Sequence, residues 1–192
     1  GNIDLTNSQI KLSQLNYIKK IGKECNLTFN INFILNQHYN IQNLNFISNK
    51  SKINLSKIKL NKNLELVNFK KIEVKTFNDN IKNNDIFVIK EKNINIKGEV
   101  FDAEPLLNSL YKKSNKRLFS KEFNSEIAIN FDRAISGTGD DISNFAMIAY
   151  INKGSYDKLS LKGNFSENEI LEVTIYKLDK ENKTFQLISD RA

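Results

Sequence analysis

The chain reads as a mainly β protein: an antiparallel meander of about eleven short strands forming one long, curved, groove-like sheet, with one short helix near residues 103–113. Apolar and polar residues alternate in short runs. The runs recur about every 8–14 residues, with turn-forming clusters between them. Ile, Val, Phe and Tyr, which favour extended backbone, are abundant.

The clearest run is Asn26 to Phe33. Leu27, Phe29, Ile31 and Phe33 fall on one face, and Asn26, Thr28, Asn30 and Asn32 on the other. Shorter runs follow at Ile53-Leu55, Ile58-Leu60, Ile72-Val74, Ile94-Ile96 and Ile127-Ile129-Phe131. Later ones are Phe145-Met147-Ala149, Leu159-Leu161, Val173-Ile175 and Phe185-Leu187. Turn signals stand at Asn78-Asp79-Asn80, Asn83-Asn84-Asp85, Gly137 to Asp141, Asn152-Lys153-Gly154 and Ser166-Glu167-Asn168. Leu55 and Ile58 lie in opposite phase, as do Phe69 and Ile72. Each break marks a bulge or a tight turn.

The helix is expected from Ala103 to about Lys113, with Leu106, Leu107, Leu110 and Tyr111 at helical spacing. Asp102 is placed to cap it, Glu104 suits the positive end of the dipole, and Pro105 is tolerated in the first turn. The stretch Leu12 to Ile21 is expected to be a loop or a helical turn.

Composition excludes much. The 192 residues suit one module, 1–192. A start at Gly1 and a stop at Ala192, directly after an apolar run, lead us to expect an excerpt of a longer protein. One cysteine, Cys25, leaves no disulfide framework or Cys-rich zinc site. One histidine, His38, leaves no His-rich metal site. No apolar run is long enough to span a bilayer, and no phosphate-loop motif occurs. The net charge of +7 invites a nucleic-acid reading, but only three of the 29 cations are Arg and the lysines are spread out. Their densest stretch is Tyr111 to Arg117. Lys, Asn and Ile are enriched together, as AT-rich codons would produce, so no nucleic-acid partner is expected.

About eleven strands offer more apolar surface than one short helix covers. The sheet must close on itself as a sandwich or barrel, curl into a trough that takes apolar ligand, or stack on another repeat.

The order of features resembles the AsmA-like family (the AsmA, TamB and YhdP group), most of all the AsmA-like C-terminal modules of alphaproteobacterial proteins. The opening Asp4-Leu5-Thr6, Leu12, Leu15, Tyr17-Ile18-Lys19-Lys20, Gly22 and Leu27-Thr28-Phe29 is similar to their strand, aromatic-basic loop, Gly and alternating strand. The middle, Ile94, Ile96, Gly98 and Phe101 to Leu107, is similar to their strand, Gly, acidic residue and Leu-rich helix. The tail, Gly154, Leu159, Leu161, Gly163 and Leu187-Ile188-Ser189-Asp190, is similar to their Gly-turn strand pair and Ser-Asp. The chain departs from the family in its lysine and asparagine load and in several turns where Asn stands for Gly.

The resemblance implies a periplasmic module of the Gram-negative cell envelope, tethered to the inner membrane through a segment absent here. Neighbouring modules of the parent chain would be partners, and phospholipid or fatty-acyl chains the ligand, moving toward the outer membrane. It implies no enzyme activity, cofactor or metal. The expected lipid-lining residues are Leu27, Phe29, Ile31, Phe33, Ile127, Ile129 and Phe131. The alternative is a structural or interaction repeat with a dry sandwich core, filled by the same residues.

The other chemistry-bearing residues receive structural expectations. His38 lies in a polar turn, and Cys25 is a small residue at a strand edge. Asp140-Asp141 lack the ligand spacing of a calcium loop. Asp102 and Glu104 are better explained as a helix cap than as a catalytic carboxylate pair.

Overall fold

Strict alternation of Leu27, Phe29, Ile31 and Phe33 with polar neighbours gives each strand one apolar face, which pairing then joins to its neighbours. The computed structural model describes residues 1–192 except 35–37, 112–122, 138, 140, 154, 179–181 and 192, and except the side chains of 34, 109–111, 155 and 156. In chain order the elements are β1 (Asn2–Asp4), β2 (Ile10–Leu12), a 3-10 turn (Ser13–Leu15), β3 (Tyr17–Lys19), β4 (Asn26–Ile34), β5 (His38–Ser48) and β6 (Ser51–Asn61). Next come β7 (Leu66–Asn68), β8 (Lys71–Asn78), β9 (Ile81–Lys90), β10 (Ile94–Asp102) and α1 (Glu104–Tyr111). The last five are β11 (Ser125–Ile135), β12 (Ile142–Asn152), β13 (Ser155–Ser166), β14 (Glu169–Lys177) and β15 (Lys183–Ser189).

Thirteen strands form one sheet in the order β1-β4-β5-β6-β8-β9-β10-β11-β12-β13-β14-β15, with β7 appended to β6. The class is the expected one, but the strands are more numerous. β5 and β9 escape a simple alternation count, for reasons given below, and β1, β2, β3 and β7 span only three residues each. The meander also has one exception. β10 and β11 pair in parallel, Ile94 opposite Ile127 through Asp102 opposite Ile135. A parallel pair needs a long crossover, and the segment containing α1 supplies it.

Both phase breaks are resolved. Leu55 and Ile58 belong to one strand, β6, because Lys57 takes a left-handed conformation (φ 52°). β5 carries a matching irregularity, an extra residue opposite the Asn30–Ile31 step of β4. Ile41 therefore still faces Ile58, and Leu44 still faces Leu55. Phe69 instead lies between β7 and β8, outside either strand. Residues 12–21 contain the 3-10 turn, flanked by β2 and β3.

Asn83-Asn84-Asp85 is not a turn. It lies inside β9, with Asn83 and Asn84 buried. Their amides are consumed by a buried network that holds them extended. His38 likewise opens β5 in a half-buried position, paired with Ile34 and Asn61. Elsewhere Asn does serve for Gly: Asn16, Asn49, Asn80 and Asn144 all have positive φ. Glycine is required at 98, where a Cβ would collide with the Asp85 carbonyl oxygen.

Candidate functional site: an apolar face on an open sheet

Register joins the alternating strands into one row. Phe29 faces Leu44, which faces Leu55, Ile72, Val88 and Ile96 in turn. From Ile96 the row continues through Ile129, Met147, Leu161, Val173 and Leu187. Eleven strands thus contribute eleven apolar side chains without a break. At the usual strand spacing the row runs roughly 48 Å along the sheet. The next row on the opposite face is different. Thr28, Asn45, Asn54 and Glu73 lead to Phe87, Lys97 and Asn130, then to Ala146, Lys162, Glu172 and Ile188. Asn54 donates to Glu73 at 2.9 Å and Lys162 pairs with Glu172 at 2.9 Å. One face is made for contact with apolar matter, the other for water.

Among the described residues nothing forms a second layer over the whole apolar face. The only other sheet among the described residues is the β2-β3 pair. Open sheets beyond about ten strands tend to curl, and β12–β13 and β13–β14 carry register shifts of the kind that bend a strand. In the middle, Val88, Ile94 and Ile127 are buried together with Ile58, Phe69, Phe123 and Ile151. Toward β15 the cover ends: Leu161 and Val173 are half-buried and Leu187 is 55% exposed.

One end of the face is closed by the N-terminal segment. Tyr17 packs edge-on against Phe46 at 6.1 Å and joins Cys25, Ile53 and Val74 in a second buried cluster, flanked by Leu5, Ile10, Leu12 and Leu15. The segment is fastened by polar groups. Lys19 is buried, and its ammonium donates to the carbonyls of Leu5, Thr6 and Ser8 at 2.5, 2.7 and 2.8 Å. All three donors of the ammonium are thereby spent. Asn84 donates to the Leu15 carbonyl (2.7 Å) and Thr76 Oγ1 (3.0 Å), and accepts the Asp102 backbone N–H (3.1 Å). Asn83 donates to the Leu15 and Asn16 carbonyls at 3.0 and 3.2 Å. A satisfied buried network of this kind fixes one geometry.

At the opposite end Lys90 interrupts the apolar face. It stands opposite Ile94, donates to Asn68 Oδ1 at 2.7 Å and lies over the Phe123 ring at 4.8 Å. Desolvation lowers its pKa.

Six of the seven expected lining residues, Leu27, Phe29, Ile31, Phe33, Ile127 and Ile129, share the apolar face, whereas Phe131 stacks on Phe101 at 5.3 Å and lines a cleft with Phe87, Lys97 and Asn130 of the other row. Leu27 is opposite Phe46, and Phe29 and Ile129 belong to the unbroken row. Leu27, Phe29 and Ile129 are half-buried; Ile31 and Phe33 are 38% and 69% exposed; Ile127 and Phe131 are both 5% exposed. β4 and β11 are separated by five strands, so the two groups lie far apart on the sheet. The lining members that strand counting missed are on β5 and β9. Their signal is the spacing Ile41, Leu44, Phe46, which repeats the irregular spacing of Ile53, Leu55, Ile58 in reverse order.

The remaining residues have structural positions. Asp102 Oδ1 accepts the Glu104 N–H at 3.2 Å, a helix-capping contact, and Asn16 bridges Asp102 and Glu104. Cys25 is fully buried, and burial raises its thiol pKa. Asp141 pairs with Arg133 at 3.2 Å. Asp140, Thr138, most of the Tyr111 to Arg117 stretch and the end of the expected helix lie outside the described residues. Among the described residues no group of three His, Cys, Asp or Glu side chains gathers to hold a metal. No helix among them is long and apolar enough to cross a membrane.

No family model, curated protein or solved structure matches the chain.

Proposed function

We propose that this chain is a lipid-handling module whose apolar face receives the acyl chains of phospholipid or fatty acid. The observation that carries the reading is the unbroken eleven-strand row that stays half-covered instead of sealed. Leaving such a row in water is costly, at about 25 cal/mol per Å² of apolar surface. Acyl chains would relieve that cost at about 0.8 kcal/mol per buried CH₂, without directional contacts that would hold a lipid in one place. Leu27, Phe29, Ile31, Phe33 and Ile129 would touch the chain, with Ile127 packed as the floor and Phe131 bordering the face. The likeness to AsmA-like modules supports a wider setting: a periplasmic, non-enzymatic unit of a longer protein tethered to the inner membrane, carrying lipid toward the outer membrane.

The test is a fluorescent fatty acid titrated into delipidated protein. Binding is expected in the wild type and reduced at least about tenfold by Leu161→Glu or Val173→Glu. Unfolding in urea should show these half-exposed variants still folded. A wild type that binds neither fatty acid nor phospholipid would sink the reading and leave a dry structural repeat.

A further inference from the structure

A cleft of about 140 Å³ lies where the N-terminal segment meets two hairpin turns, β5–β6 and β8–β9. Tyr17 lines it from one side and belongs to the buried apolar cluster on the other. Lys20, Lys23 and Lys50 line its wall with a single carboxylate, Asp79. Lys20 pairs with Asp79 at 3.0 Å. Lys23 and Lys50 have no carboxylate partner among the described residues. On the sheet, Lys71, Lys75, Lys82 and Lys162 are matched by Glu73, Asp85, Glu99 and Glu172, while Lys59, Lys97 and Lys158 stand on separate strands with no carboxylate partner among the described residues; the cleft differs in gathering its cations at one place. Ser51 also lines the cleft and is buried, at 3% exposure. Its Oγ accepts the Phe77 N–H at 3.1 Å, while its own proton has no acceptor among the described residues. A buried hydroxyl spends its donor where it can, and Ser51 is one of the residues that line the cleft.

We propose that this cleft binds a phosphate group, held by Lys23, Lys50 and the Ser51 hydroxyl, with Lys20 released to it from Asp79. Phosphate offers several acceptor oxygens and a charge that matches the surplus of cations. The volume holds one such group with a little water, since a water molecule's share of the liquid is about 30 Å³. The phosphate can come from a lipid headgroup or from a free anion. The cleft uses different residues from the acyl-binding face, so either proposal can fail without the other.

The experiment uses the full chain at low ionic strength. One arm titrates inorganic phosphate by calorimetry. The other measures sedimentation with phosphatidylglycerol or phosphatidylcholine vesicles. Binding of phosphate alone identifies a free-anion site; retention on phosphatidylglycerol alone identifies a headgroup site; either supports the proposal. Lys23→Gln/Lys50→Gln should weaken binding about tenfold or more. Asp79→Asn should tighten it by about two- to threefold, because it removes the competing carboxylate. Neither arm binding, or tighter binding failing to follow Asp79→Asn, would overturn it. Should the double variant not fold, the sign of the Asp79→Asn effect alone decides.

Discussion

Strands β9–β11 and strands β13–β15 carry the same alternation, yet the first bury it and the second leave it open. Ile94 in β10 is 2% exposed, whereas Phe185 in β15 is 62% exposed. Both present apolar residues at alternate positions of the same face, Ile94 and Ile96 beside Ile127 and Ile129 in one and Val173 and Ile175 beside Leu187 and Phe185 in the other. The difference lies in what comes near. The central strands have Phe69, Phe123 and the flanking strands packed against them. β15 is the last strand of the sheet, with one neighbour, β14. Alternation therefore creates a face, and only a covering group turns that face into a core.

The largest expected effect follows from this contrast. Ile94→Ala should destabilise the chain by about 2–5 kcal/mol in urea unfolding, because it empties a filled site. Leu187→Ala, on the same face at the open edge, should cost under about 1 kcal/mol. Equal effects would mean that the β15 end is covered in solution. Next comes the polar fastening of the N-terminal segment. Asn84→Ala removes one of the two amide donors to the Leu15 carbonyl and the side-chain acceptor of the Asp102 N–H, and should cost about 2 kcal/mol. Hydrogen exchange should rise first in residues 5–19, before the central strands lose protection.

The smallest effect is acid sensitivity. Glu73 has its pKa lowered chiefly by the Asn54 hydrogen bond and then by Lys71, and Glu169 chiefly by Arg191. Both carboxyls hold a proton less tightly folded than unfolded. Their stabilisation is therefore complete above the ordinary carboxylate range and is lost as pH falls through the lowered folded values. A thermal melt series from about pH 6 to about pH 3 should show Tm falling. Glu73→Gln and Glu169→Gln should each blunt that fall, and added salt should reduce the share that comes from the Lys71 and Arg191 pairs.

Much of this architecture is legible in the chain. Leu27 to Phe33 declares a half-buried strand because the backbone sends successive side chains to opposite faces, whatever lies around it. The Asp102 cap and the Leu106, Leu107 spacing declare α1 for the same local reason. β5 is less legible because its irregularity shifts Ile41 out of phase with Leu44, and only β6, with Lys57, shows that the shift is shared. Asn83-Asn84 looks like a turn because asparagine usually satisfies its own local backbone. Inside β9 it satisfies Leu15 and Asp102 instead, partners 69 and 18 positions away in sequence. The parallel β10–β11 pair, the buried Lys19 and the cation-rich cleft depend in the same way on segments distant in sequence meeting in space. The sequence by itself determined the regularly alternating strands, the start of the helix and the two-sided character of the sheet, because these follow from local backbone geometry and side-chain polarity. The tertiary structure alone decided which parts of the apolar face are sealed and which stay open, because cover is supplied by groups that alternation cannot see.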